Sequence, residues 1–412
     1  MLHDAQVIIR ESIAAVLPDE AVHRALSAMQ LPGRVTLVAI GKAAWRMARA
    51  ACDHLGARIA RGIVVTKYGH SEGPLPGLTI IEAGHPVPDG NSILGAQEAL
   101  RLVSGLTQED AVLFLVSGGG SALFEQPLPG ASLEDIAAVT QQLLACGAPI
   151  GEINAVRKHL SAVKGGRFAA ACAPASLHCI LLSDVLGDRP DVIASGPAAP
   201  DASTCADVAA IIARHGVRVP AHLLPLLRME TPKSLCRVET VVTGSVTALC
   251  DAAAAAAARL GYTPLILTTT LSCEAREAGA MLASIAQEIR RSGRPIPPPC
   301  AVIAGGETVV HLRGDGKGGR NQELALAAAK GLDGLDGVCL LSLGSDGTDG
   351  PTDAAGGVVT GASAQLCRAL GLSIDDALAR NDAYPLLGQI GGLIMTGPTG
   401  TNVNDVAVLL VR

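Results

Sequence analysis

Short aliphatic and β-branched runs alternate along this chain with longer stretches whose apolar positions recur at helical spacing. The runs at 35–40, 62–66, 78–82, 111–116 and 178–183 are nearly unbroken apolar segments, as expected of strands covered on both faces in a parallel sheet. Between them, 43–55, 91–104, 132–146 and 154–173 read as helices, and Ser132 with Asp135 forms a capping box at the head of the third. This β-α-β alternation predicts a doubly wound, Rossmann-like sheet. A less regular stretch runs from Pro197 to Pro232, and a boundary is expected near "METPKSL", 229–235. A second set follows, with strands at 239–243, 264–268, 300–304, 308–313, 338–343 and 406–411 and helices at 246–260, 273–292, 320–332 and 362–370. The reading is two α/β domains, 1–232 with a mostly parallel sheet and 233–412 with a mixed one, in which 308–313 is a hairpin partner of 300–304.

Composition narrows the function more than the fold. Apolar residues make up 49% and charged residues 17% of the 412, a globular balance. With net charge −6 and 2% aromatics, the chain lacks both the basic face and the stacking platforms of a nucleic-acid binder, so no nucleic-acid partner is expected. An adenine would have to rest on aliphatic side chains. The 11 cysteines include no C-x-x-C pair, which reads as free thiols in a reducing cytoplasm. "VTALCDAAAAAAARLGY" is interrupted by Asp251 and Arg259 and is too short to span a bilayer. A soluble protein with no membrane partner is expected.

Candidate chemistry sits in the turns after the strands, where open α/β sheets bind their ligands. In "LVAIGKAAW", Lys42 stands at a helix start, a poor place for a cation unless an anion binds there too. In "LFLVSGGGSALF", Ser117, Gly118, Gly119, Gly120 and Ser121 let the backbone approach phosphate oxygens closely. "NAVRKHLSAVKGGR" puts Arg157, Ser161 and Lys164 on one helical face, either solvated or facing an anion, with Lys158 and His159 pointing elsewhere. Asp184 ends a strand with Asp188 one turn on, and Asp346, Asp349 and Asp353 share a glycine-rich loop. Such carboxylates either hold a divalent cation, accept a proton, or only form turns.

"GDGKGGRNQE", 314–323, nearly matches two nucleotide signatures. Gly314, Gly316 and Gly319 give G-x-G-x-x-G, but the segment before them, "TVVHLR", is not a buried parallel strand, and Asp333 and Asp336 come early for a ribose acid. A P-loop would need Lys-Ser or Lys-Thr where Arg320-Asn321 stands. The fork of Arg320 suits a carboxylate or phosphate, so the loop reads as anion-binding.

Together, "VSGGGSALFEQPLPG", "NAVRKHLSAVKGGR", "LLSDVLGDRPDVIASGP", "GGETVVHLRGDGKGGRNQELALAAA", "GSDGTDGPTDAAGG" and "TGPTGTNVNDV" resemble the class II glycerate kinases, whose C-terminal part is the MOFRL domain. The likeness runs in order from about Ile40 to the C-terminus. Phe168, and "SDGTDG" in place of the more usual "TDGIDG", are small departures. The resemblance implies two α/β domains with the active site in the cleft between them, and ATP, Mg²⁺ and D-glycerate as reactants yielding 2-phosphoglycerate. Lys42 and Arg320 match the family's active-site lysine and arginine. On that footing Lys42 meets the transferring phosphoryl group and Arg320 the glycerate carboxylate. The 117–121 loop, with Lys164, Gly316 and Gly319, lines the nucleotide side. Mg²⁺ falls to Asp184 or Asp346, and the hydroxyl proton to Asp188 or Asp349. Lys42 and Arg320 are both expected to face the site and not the core, and a homodimer stays open. Two rivals remain. Some family members carry the label hydroxypyruvate reductase, and an NAD(P)H-dependent reductase would need a proton donor, for which His85 is the candidate. The second is a non-enzymatic sensor of a sugar acid or nucleotide.

Overall fold

The computed structural model describes all residues, 1–412. The first sheet contains β1 (Val35–Ile40), β2 (Ile59–Lys67), β3 (Leu78–Ala83), β4 (Ala111–Val116), β5 (Ser176–Leu182) and β6 (Val238–Gly244). Their spatial order is β3-β2-β1-β4-β5-β6, and the pairs from β3 across to β5 are parallel. β1, β4 and β5 are buried along their whole length, which is why they read as unbroken apolar runs. The strand order reverses between β1 and β4, the switch point at which a crevice opens beyond the carboxyl ends.

The second sheet adds β7 (Thr263–Leu271), β8 (Cys300–Gly306), β9 (Val338–Gly344), β10 (Gly356–Thr360), β11 (Leu393–Ile394) and β12 (Asp405–Val411) in the order β11-β10-β9-β12-β8-β7. It is mixed: β7 and β8 are parallel, while β12 runs antiparallel to both neighbours. Helices Ala275–Ser292 and Arg320–Leu332 cover it with alanine-rich faces. They approach so closely that a Cβ on Gly279 would lie 2.2 Å from the Leu324 carbonyl oxygen.

The structure departs from the expected layout in four places. β6 is an edge strand of the first sheet, so the second begins about ten residues later than the 229–235 boundary placed it. The chain separates into Pro18–Ser183 with Asp188–Thr243, and Met1–Leu17 with Asp184–Gly187 and Gly244–Arg412. The N-terminal helix Leu2–Ala15 therefore belongs with the second sheet. Buried Asp4 accepts from the Tyr262 hydroxyl (2.7 Å) and from Arg412 Nη2 (2.8 Å), partners some 250 and 400 residues away that no local pattern can announce. Residues 308–313 form no strand, and Val309 makes only a bridge to Glu274. The antiparallel partner of β8 is instead β12, and β10, too glycine-rich to read as a strand, pairs with β9. Finally, 154–173 is two helices, Ile150–Leu160 and Arg167–Cys172, broken where Gly165 and Gly166 take φ of 56° and 81°. No helix is long and apolar enough to cross a membrane.

Candidate active site

In the first-sheet unit, two loops meet at the switch point. Gly41 leaves β1 with φ 113°, and a Cβ there would fall 2.2 Å from Ser117 Oγ. The Ser117 hydroxyl is buried and committed to the fold: it donates to the Ile40 carbonyl (3.3 Å) and accepts from the Ala43 amide (3.0 Å). The Lys42 amide donates to the Gly118 carbonyl at 2.9 Å. Its own carbonyl accepts from the Thr66 hydroxyl (3.4 Å) and lies 3.1 Å from His70 Nδ1. The Lys42 backbone is thus locked while its half-buried side chain extends over the glycine loop. A Cβ on Gly119, which has φ 85°, would lie 3.0 Å from His85 Cδ2 and 3.2 Å from Lys42 Cγ. Burial, then the charges of Lys42, Lys67 and His70, hold the His85 imidazole below its ordinary range. Three basic groups thus act on one ring in a protein whose net charge is negative. The loop's far end is tied down as well: Ser121 Oγ lies 2.8 Å from Ser195 Oγ, and Arg157 Nη2 donates to the Ser121 carbonyl at 3.2 Å.

In the second-sheet unit, Arg320 opens the helix Arg320–Leu332. Its Nε and Nη2 fork onto Asp405 at 2.5 and 2.9 Å, and Nη1 reaches the half-exposed Glu307 at 3.2 Å. Asp405 begins β12 beside the end of antiparallel β9, so both open onto one edge of the sheet. Asp346, just past β9, accepts the Thr348 amide at Oδ1 (3.0 Å). That Oδ1 and Asp405 Oδ1 lie 3.3 and 3.4 Å from where a Gly344 Cβ would stand. Asp184, half-buried, is grouped with this unit and Asp188 with the other. A pocket of about 750 Å³ opens beside Arg320, bounded by Glu307, Thr308, Gly316, Gly319, Pro351 and Asn381.

Comparison with known proteins places the chain. A family model described as a domain of unknown function, DUF4147, matches residues 4–228, and the MOFRL family model matches 300–405. The D-glycerate 2-kinase of Thermotoga maritima is 54% identical, covering 98% of this chain and 97% of its own. This chain belongs to the class II glycerate kinase family. A relative from Agrobacterium vitis that carries the name hydroxypyruvate reductase is 44% identical over 92% of this chain and 87% of its own. The crystal structure of glycerate kinase from Thermotoga maritima superposes with a TM-score of 0.97 at 53% identity, covering 100% of this chain and 99% of that one.

Within this class II glycerate kinase fold, three expected roles change. Lys164 is wholly buried. Its ammonium is 2.8 Å from Glu125 Oε2 and donates to the Phe124 carbonyl at 2.9 Å. Burial brings its pKa down to about 8 against the pull of Glu125. Lys164 is half of an interior ion pair and not a phosphate ligand. Ser161 donates to the same carboxylate at 2.5 Å. The face formed by Arg157, Ser161 and Lys164 is thus turned inward on Glu125, which lies in the glycine-loop motif with nothing there to announce this pairing.

Gly316 and Gly319 also serve the fold. A Cβ on Gly316 would lie 2.5 Å from the Arg380 carbonyl, and one on Gly319 2.3 Å from Asp349 Cγ. The amides of Gly314, Gly316 and Lys317 are taken by Asn381 Oδ1, Arg380 O and Asp382 Oδ1. The loop's glycines admit neighbouring chain at close range, and Gly316 and Gly319 also line the pocket beside Arg320. Asp405 and Glu307 were missed as well. Both lie in quoted motifs, but only the fold shows that they clasp Arg320.

The third change concerns Asp349, only 3% exposed. It accepts from the Asn321 and Gln322 amides (3.1 and 2.9 Å) at the helix start, and so it caps a helix where a proton acceptor was expected. Burial outweighs those amides and, with Asp405 nearby, lifts its pKa to about 6 from an ordinary 3.8. Its contribution to stability is full below pH 3.8 and is lost as pH rises through 6. A rise of that size corresponds to about 3 kcal/mol. Chemical denaturation between pH 4 and 7 is therefore expected to show the wild type losing about that much relative to Asp349→Asn. A pH-independent difference between the two would refute it.

Proposed function

We propose that this chain is a D-glycerate 2-kinase, transferring the γ-phosphoryl group of ATP to the 2-hydroxyl of D-glycerate to give 2-phosphoglycerate and ADP. The observation that carries this reading is the end-to-end likeness to the Thermotoga maritima enzyme of that name. The basic groups of Lys42, Lys67 and His70 gathered around His85 beside the glycine loop support it independently. Phosphoryl transfer asks mainly for positioning and charge neutralisation. The 2-hydroxyl oxygen bonds to the γ-phosphorus, the bond to the bridging oxygen breaks, and the hydroxyl proton passes to a base. Lys42 offsets charge on the moving phosphoryl group, and the backbone of Gly118–Gly120 receives phosphate oxygens. Arg320, with one edge committed to Asp405, offers its Nη1 side to the glycerate carboxylate in place of Glu307. Asp188 remains the candidate base, because Asp349 is enclosed.

Asp184 and Asp346 are half-buried carboxylates, the hard donors Mg²⁺ prefers, and are the residues to hold it. When bound, Mg²⁺ supplies neutralisation of phosphate charge. The purified protein is expected to consume ATP only when D-glycerate is present, to form 2- and not 3-phosphoglycerate, and to stop on chelation. The Agrobacterium relative's name motivates a second reading as a reductase. His85, its candidate proton donor, stands among positive charges that disfavour its protonated form. Oxidation of NADH by hydroxypyruvate with ATP left untouched would overturn the kinase reading.

A further inference from the structure

On the first-sheet unit, apart from Lys42 and the glycine loop, three side chains of different chemistry converge. The ligand atoms of His159, Cys205 and Glu230 all lie within 4.8 Å of one another. His159 belongs to the helix Ile150–Leu160 and is fully buried. Its Nδ1 is 2.9 Å from the Ala155 carbonyl. A carbonyl can only accept, so Nδ1 carries the proton and Nε2 keeps a lone pair. That Nε2 is buried without a hydrogen-bond partner. An interior acceptor left unsatisfied is costly and asks for an explanation.

Cys205 is the first residue of the helix Cys205–His215, and its amide donates to Glu230 Oε1 at 3.0 Å. Glu230 is exposed, leaving the cluster open to solvent on that side. We infer that His159 Nε2, Cys205 Sγ and the Glu230 carboxylate form a zinc site, with water in the fourth position.

The chemistry is matched at each ligand. Imidazole and thiolate select zinc over magnesium. A backbone carbonyl holding the far ring nitrogen is the usual support of a metal-bound histidine. Thiolate and carboxylate together cancel the charge of Zn²⁺. Tetrahedral zinc spaces its ligand atoms by about 3.3–3.8 Å, so the cluster contracts by at most about 1.5 Å on binding, a movement open to the exposed Glu230. Lys233 now pairs with Glu230 Oε2 at 2.9 Å. It also donates to the Ser203 carbonyl and the Thr231 hydroxyl, partners that would retain it when the carboxylate turns to the metal.

The ion would clip the helix Ile150–Leu160 to the head of Cys205–His215 and to the 229–233 segment. The clipped helix also carries Arg157, which anchors the Ser121 carbonyl. The role is therefore positioning and not catalysis.

The test uses the full-length protein, reduced and stripped by a chelator that is then removed. Titration with Co²⁺ alone is expected to produce a thiolate-to-cobalt charge-transfer band in the near ultraviolet that saturates at one equivalent. Zn²⁺ should abolish the band, and Mg²⁺ should leave it intact. Cys205→Ser should lose the band. Glu230→Gln, a surface change that keeps the fold, should weaken binding at least about tenfold. Zn²⁺ should raise the thermal midpoint of the wild type and not that of Cys205→Ser. Absence of the band in the wild type would overturn the site, as would its persistence in Cys205→Ser, or undiminished affinity in Glu230→Gln.

Discussion

Arg320→Ala is expected to cost stability as well as turnover. Asp405 is 6% exposed, and its carboxylate is held by two parallel bonds from the Arg320 fork. Burial already pushes its pKa up, with Arg320 opposing and Glu307 adding to the rise. Removing the guanidinium leaves a buried charge unpaired, which costs about 3–5 kcal/mol at neutral pH. Arg320→Lys should recover only part of this, since an ammonium cannot reproduce the fork. The partner variant separates the two effects: Arg320→Ala combined with Asp405→Asn should unfold at higher denaturant than Arg320→Ala alone, because a neutral amide is cheaper to bury.

Catalysis should not return with stability. If the Nη1 side of Arg320 receives glycerate, kcat/KM falls by roughly 30- to 1000-fold, or about 2–4 kcal/mol, mostly through KM. The assay belongs below the variant's melting transition, with the folded fraction checked by circular dichroism. An Arg320→Ala protein as stable as wild type would mean that the Asp405 fork contributes nothing. One with unchanged kinetics would remove Arg320 from the site.

Lys42→Ala is expected to do the opposite, lowering kcat by about 100- to 1000-fold and leaving stability within about 0.5 kcal/mol. The loop uses the Lys42 backbone, through Gly118, Thr66 and His70, and those bonds survive truncation. KM for glycerate should barely move, because charge on the transferring group is met chiefly in the transition state. A second readout does not depend on activity. Lys42 is one of the positive charges holding the His85 pKa down, so the imidazole should titrate at higher pH in the variant when followed by NMR. An unmoved His85 would place the Lys42 ammonium elsewhere, and an unchanged kcat would remove it from the reaction.

The two variants differ because the two cations are held differently, and the sequence could not tell them apart. Both were expected to face the site and spare the core, but Arg320, though it lines the pocket, also holds buried Asp405. Its partner Asp405 lies 85 residues away, in the motif "TGPTGTNVNDV", where nothing marks it as the partner of an arginine. Lys164 failed for the same reason, since nothing in "VKGGR" reveals a buried carboxylate 39 residues earlier.

What the sequence determined by itself was whatever local rules control. Unbroken apolar runs became the buried strands β1, β4 and β5. The Ser132–Asp135 capping box formed with both of its reciprocal bonds, and the α/β alternation set the class of both sheets. Motif order marked the family. Only the tertiary structure decided which sheet took β6 and the N-terminal helix, which glycines serve backbone packing, and which charges are spent on one another. The physical reason is common to all of these. Periodicity and capping act over a few residues, whereas desolvation and ion pairing depend on which distant groups share a low-dielectric interior. The pairing of Lys164 with Glu125 and the clasp of Asp405 on Arg320 exist only once the chain has folded.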